Sequence, residues 1–183
     1  MKKNIIIFLL LIVCFTSGYK KPHKYTIDAE KDAFLHNNVA LNYLNDRCYY
    51  AAIQEFKIAI QLSPNTQSTA VFKNNLGETY DKIGYPEMAR VCFEDAIELY
   101  SLNFKYYLNL IECYAKLNIL ETKIKELQNS EKTYDRIKLG LLYIKNDEKR
   151  KGIIILDEFC AKEADLLITP TIQQYIKDVA TTL

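Results

Sequence analysis

The stretch Asn75-Leu76-Gly77-Glu78-Thr79-Tyr80 decides the fold, because Ala89, Phe93 and Ala96 follow its tyrosine at nine, thirteen and sixteen residues. The same phrase stands earlier as Asn38-Val39-Ala40-Leu41-Asn42-Tyr43, and the same counts from Tyr43 reach Ala52, Phe56 and Ala59. Two weaker copies are Asn109-Leu110-Ile111-Glu112-Cys113-Tyr114 and Lys138-Leu139-Gly140-Leu141-Leu142-Tyr143. The four tyrosines lie 37, 34 and 29 residues apart, close to the roughly 34-residue period of a helix–turn–helix repeat. Ala40 and Gly77 are small, so a second helix can come close, and a tyrosine fills the gap one turn later. Ala52, Phe56 and Ala59 recur at spacings of four and three, which places them on one face of that second helix.

Punctuation between the helices agrees. Gly84 suits the left-handed residue that ends a helix, and Pro86 suits the first turn of the next. Pro64 with Asn65 closes the first repeat. The third repeat carries Lys123 where the first two have alanine, and its short step to Tyr143 predicts a second helix reduced to about 121–128. The fourth puts Gly152 at that alanine and runs Lys145-Asn146-Asp147-Glu148-Lys149-Arg150-Lys151 over its turn, a run expected as solvated surface. Thr169 and Pro170 read as the N-cap and first residue of a last helix reaching about Thr181, expected to cover the apolar face of the final repeat.

With these motifs the chain resembles a tetratricopeptide repeat protein over about 33–164, strongly in the first two repeats and loosely in the last two. The resemblance implies an all-α fold of stacked antiparallel helical hairpins, a right-handed superhelix of about four repeats plus a capping helix. The expected organisation is a signal peptide at 1–18, a basic linker and the start of the first helix at 19–32, four repeats at 33–168 and a capping helix at 169–183. It also implies a concave wall, built by the first helix of each hairpin, that binds a protein or peptide. The side chains expected on that wall are Asn37, Asn38, Leu41 and Asn45; Asn74, Asn75, Glu78 and Lys82; Lys105, Asn109, Glu112 and Lys116; then Ile137, Lys138, Leu141 and Lys145. Asn38, Asn75 and Asn109 each stand two residues before the small position, and a row of amides offers donors and acceptors to the backbone of an extended peptide. Asparagine is also common at this place in such repeats, so a background role stays open beside ligand contact.

A carboxylate clamp of the kind that holds chaperone tails fits poorly. Asn75 and Lys105 match it, whereas Asn37, Leu41 and Asn109 stand where the clamp needs other side chains. The mixture of Glu78 and Glu112 with Lys82, Lys105 and Lys116 suits a polar or mixed peptide instead.

The 183 residues carry 24 Lys and Arg against 23 Asp and Glu, a formal charge of +1, so no whole-protein field points to nucleic acid. Lys2 and Lys3 precede the apolar run from Ile5 to Phe15, the layout of a signal peptide and too short for a bilayer span of about 20 residues. Thr16-Ser17-Gly18 offers a cleavage site before Tyr19. Leu11-Ile12-Val13-Cys14 resembles a lipoprotein box with Val13 where a small residue is usual, so lipidation of Cys14, with attachment to a membrane through the lipid, stands as the competing outcome. Either route predicts export, to the periplasm or the membrane surface of the envelope, or secretion where no outer membrane exists. Cys48, Cys92, Cys113 and Cys160 show no CxxC spacing and read mainly as small core residues, with disulfide pairing open.

Nucleotide-binding, zinc-protease and serine-hydrolase motifs are absent, and the only histidines are His23, in the basic linker, and His36, at a packing position. Neighbouring acidic pairs such as Asp157-Glu158 point different ways on a helix. The expectation is a non-enzymatic interaction scaffold with no metal or cofactor, binding through its groove. The alternative is a structural subunit docking by its convex face or its last helix.

Overall fold

The computed structural model describes residues 28–182. Among them nine α-helices follow in order: α1 (Ala29–Asn45), α2 (Tyr49–Leu62), α3 (Gln67–Lys82), α4 (Pro86–Leu99), α5 (Phe104–Lys116), α6 (Leu120–Leu127), α7 (Asp135–Lys145), α8 (Lys149–Lys162) and α9 (Thr169–Ala180). The expected signal peptide, Cys14 and His23 lie outside the described residues.

Each of the four repeat tyrosines closes its helix in the same way. The carbonyl of Tyr43 accepts from the backbone N–H of Cys48 at 2.8 Å, Tyr80 from Tyr85 at 2.9 Å, Tyr114 from Ile119 at 3.1 Å and Tyr143 from Glu148 at 2.9 Å. The residue before each donor is left-handed: Arg47 at φ 60°, Gly84 at 82°, Asn118 at 56° and Asp147 at 63°. This is a Schellman-type stop, repeated four times although glycine supplies it once. Asparagine and aspartate tolerate that conformation better than Arg47 does.

Helix starts are set by side chains. Thr66 and Thr69 form a reciprocal capping box on α3, Asn103 Oδ1 accepts from the N–H of Lys105 at 3.1 Å on α5, and Pro86 opens α4. The last helix differs from its expected start. Thr169 is already helical, Ile168 is the cap residue without a side-chain bond, and the Thr169 hydroxyl donates to the Glu163 carbonyl at 2.5 Å. Thr169 therefore ties α9 back to the end of α8 rather than capping it.

The helices pair as hairpins, α1 with α2, α3 with α4 and α7 with α8, and α2 and α4 pack on α3 and α5. Ala40, Ala52, Phe56, Ala59, Ala89, Phe93 and Ala96 are all buried in these seams. The third hairpin is the exception, since α6 barely touches α5 while α5 lies directly on α7. Lys123, at the alanine position, spans the gap with its ammonium 5.6 Å from the Tyr114 ring centre.

Gly152 is not a loosened alanine. A Cβ there would collide with the Gly140 carbonyl oxygen and lie 2.9 Å from the Ile144 nitrogen. Two glycines, Gly140 and Gly152, let α7 and α8 approach backbone to backbone. Of the repeat tyrosines, Tyr80, Tyr114 and Tyr143 are buried, but Tyr43 is 37% exposed at the N-terminal end of the described stack.

Candidate functional site: the concave wall

Helices α1, α3, α5 and α7 make one layer, in which α3 touches α5 and α5 touches α7. In a stack of such hairpins the layer made by the first helices is the one expected to be concave.

Its centre is a network of amides and carboxylates running across repeats. Asn75 Nδ2 donates to Asn37 Oδ1 at 3.1 Å, joining α3 to α1. Asn109 Nδ2 donates to Asn74 Oδ1 at 2.8 Å and to Glu78 Oε1 at 3.0 Å, joining α5 to α3. Glu78 Oε1 also takes Asn74 Nδ2 at 2.9 Å and the Lys105 ammonium at 2.6 Å. Burial alone would push the Glu78 carboxyl up; the bonds from Lys105, Asn74 and Asn109 outweigh it and hold the group below its ordinary 4.5. Asn37 and Asn74 are buried, at 6% and 3% exposure, while Asn75, Glu78 and Asn109 remain half-buried and Asn38 exposed.

Further along, Lys116 pairs with Asp81 at 2.6 Å and Lys145 with Glu112 at 2.5 Å, again one groove helix to the next. These pairs are largely solvated, so each contributes little and can be exchanged for a ligand's charges. Lys82, Leu41 and Asn45 are exposed. The side chains of α3 and α5 are joined by contacts between the two helices, and their amides are turned chiefly on one another.

The fourth repeat departs from expectation. Ile137 and Leu141, expected on the open wall, are 0% and 1% exposed. Leu141 stands two residues before its repeat tyrosine, as do Leu41, Glu78 and Glu112, none of which is buried. What differs is α9. It runs back along α8, with Lys149 Nζ donating to the Thr182 carbonyl at 3.3 Å, and sends Tyr175 edge-on to Phe104 of α5 at 5.3 Å between ring centres. Tyr175 and Leu141 also line one depression of about 400 Å3, with Leu108, Glu112 and Lys145 around them. The last helix packs on α8 and brings Tyr175 beside α5 and α7 at this end.

Lys138 lies elsewhere. It pairs with Asp135 at 2.5 Å and borders a second hollow of about 540 Å3 with Glu94, Glu98, Ile97 and Leu110. His36 Nδ1 meets Glu55 Oε2 at 2.6 Å, bracing α1 on α2. Cys48, Cys92, Cys113 and Cys160 are unpaired thiols. Among the described residues no group of three or more His, Cys, Asp or Glu side chains is placed to hold a metal ion, and no helix is long and apolar enough to cross a membrane.

Stacked hairpins with this repeat phrase and this concave layer define the fold of tetratricopeptide repeat proteins. Solved structures agree. The chain is similar to the MamA protein at 18% identity, covering 82% of this chain and 87% of that one with a TM-score of 0.50. It is similar to a tetratricopeptide repeat protein from Parabacteroides merdae at 15% identity, with coverage of 83% and 61% and a TM-score of 0.52. PilF of Pseudomonas aeruginosa matches at 14% identity, with coverage of 81% and 68% and a TM-score of 0.50. No family model and no curated protein matches the sequence.

Proposed function

We propose that the protein is a non-enzymatic interaction scaffold or assembly factor of the cell envelope that holds a peptide or protein segment on its concave wall. The observation that carries this is the continuous row of partly exposed polar side chains on α3 and α5, Asn75, Glu78, Lys82, Lys105, Asn109, Glu112 and Lys116. Glu78, Glu112, Lys105 and Lys116 are paired across repeats within reach of solvent, so a segment with mixed polar groups can trade places with them at low cost, whereas a strongly acidic or basic one meets like charges in the row. Export, with either Cys14 lipidation or cleavage near Gly18, is part of the same proposal and is supported by Lys2, Lys3 and the apolar run that follows.

The test is photo-cross-linking from Lys82 in native cells, followed by pull-down with the full chain and with the double variant Asn75→Ala, Asn109→Ala. Recovery of the captured partner should fall at least five-fold in the variant while its helical circular dichroism holds. Unchanged recovery would reject the groove.

A second reading, docking through the convex face, draws on one observation. Tyr85, Met88 and Val91 recur every third residue at the start of α4 and are 48%, 49% and 45% exposed. Replacing Met88 and Val91 by serine should then abolish capture, with the groove variants silent.

A further inference from the structure

The end of the concave wall is already occupied by a part of the chain itself. Leu141 is buried where the corresponding Leu41, Glu78 and Glu112 are not, and Tyr175 of α9 stacks edge-on against Phe104 of α5. Beneath and beside it lie Leu108, Ile111, Leu141 and Ile144, an apolar floor rimmed by the Glu112–Lys145 pair. Tyr175 is the side chain by which α9 borders this floor.

The helix that covers it is held unevenly. Its start is fixed, with Ile168, Thr169 and Ile172 at 0–1% exposure and the Thr169 hydroxyl bonded to Glu163. From Tyr175 onward the burial is only partial, for Tyr175, Ile176 and Val179 alike. The one described polar tether between this half and another helix is Lys149 to Thr182, at the surface. The seat is also underfilled, since about 400 Å3 remains open beside the Tyr175 ring. A terminal helix whose backbone packs on α8 and which reaches α5 and α7 through Tyr175 can open locally without unfolding the stack, and a seat left partly empty can be filled better by another occupant.

We propose that the C-terminal half of α9 is a displaceable internal ligand, and that the partner segment for this end of the groove is an amphipathic helix built like α9. It would present an aromatic residue at the place of Tyr175, with aliphatic side chains three before, one after and four after, where Ile172, Ile176 and Val179 stand. Occupancy by α9 lowers the apparent affinity for any such helix by the fraction of time the seat is closed. The proposal rests on the concave face being the binding wall, and it adds the class of segment bound at the fourth repeat and the device that guards it.

The probe is a fluorescein-labelled peptide of residues 167–182, titrated by anisotropy into the full chain and into its Tyr175→Ala variant. The substitution loosens α9 and leaves the seat on α5 and α7 untouched. The variant should bind the peptide at least ten-fold more tightly than the parent chain, and a peptide carrying Gln174→Pro, which cannot stay helical, should bind neither. Equal affinity for both chains, or equal binding of the proline peptide, would overturn the proposal. Should the variant fold poorly, native-state hydrogen exchange on the unaltered chain decides. Amides of 176–182 should exchange at least a hundred-fold faster than those of 153–160, and exchange of both segments at one common rate would overturn it. Neither measurement uses the envelope partner or the Asn75 and Asn109 variants, so a negative result here leaves the groove reading to its own test.

Discussion

The side-chain amide of Asn109 on α5 donates to Oδ1 of Asn74 on α3 at 2.8 Å, and both amides meet at the same oxygen of Glu78. Two repeats are registered against each other by polar groups of which Asn74 is almost wholly buried. Such a network is costly to interrupt, because each partner left behind has lost its water as well.

Asn74→Ala should therefore destabilise the fold by about 1–3 kcal/mol, the cost of buried groups left unpaired. Lys116→Ala, which breaks only the solvated pair with Asp81, should cost less than about 1 kcal/mol. Urea denaturation of the two variants side by side checks the contrast.

Gly84 sits at φ 82° with nothing within 4 Å of a Cβ built there, so any cost of substitution is conformational. Gly84→Ala should lose about 1 kcal/mol. Gly84→Asn should lose less, since Asn118 already holds the same turn in the third repeat at φ 56°. Thermal melts of both variants would show the order.

Gly152→Ala faces backbone atoms of α7, which cannot step aside as a side chain can. The hairpin of α7 and α8 must part, at a cost of about 1–3 kcal/mol. The expected signature is a lowered urea midpoint with faster exchange of amides in α8.

Glu78 and Asp135 are both held below their ordinary values. In each, burial pulls upward and is outweighed, by Lys105, Asn74 and Asn109 for Glu78 and by Lys138 and Ser130 for Asp135. A carboxyl with a depressed folded value binds protons more readily when unfolded. Its contribution is thus full above the unfolded value near 4.5 for Glu78 and is lost as pH falls through the lower folded value. Stability should decline on acidification below about pH 4.5, and Glu78→Gln should flatten that slope when unfolding is followed from pH 6 to pH 3.

Burial pushes the thiols of Cys92 and Cys113 up to about 11, which keeps them protonated at neutral pH. Cys48 is exposed. In the folded chain Cys48 should react with a thiol reagent at least ten-fold faster than Cys92 or Cys113, as mass spectrometry of the labelled peptides would show.

Much of the fold was legible in local patterns. Small residues at Ala40 and Gly77, the alanine and phenylalanine spacing of α2 and α4, and Gly84 before Pro86 are each constraints on helix approach or termination. The shortened α6 followed from spacing too, expected at about 121–128 and found at Leu120–Leu127. Least legible was the turn at Arg47, where the hydrogen bond from Cys48 to Tyr43 accompanies a left-handed backbone that an arginine does not announce. Gly140 and Gly152 stand at the small positions of the fourth repeat, but how closely the two backbones approach there is set by packing.

For the groove, the sequence by itself placed the candidate side chains of α1, α3 and α5 at common offsets from their repeat tyrosines, because the first helix of each hairpin repeats the same phrase. Only the tertiary structure decided what those residues face. The amides of Asn37, Asn74, Asn75 and Asn109 find partners one repeat away, a relation set by how closely α1, α3 and α5 stack. Leu141 is buried where Leu41, Glu78 and Glu112 are not, and Tyr175 of α9 borders the same depression; no local pattern in α7 encodes a neighbour that comes from the far end of the chain. Periodicity fixes the direction of a side chain relative to its own helix; the distance to a neighbouring helix, and hence whether that side chain meets protein or water, is settled by packing.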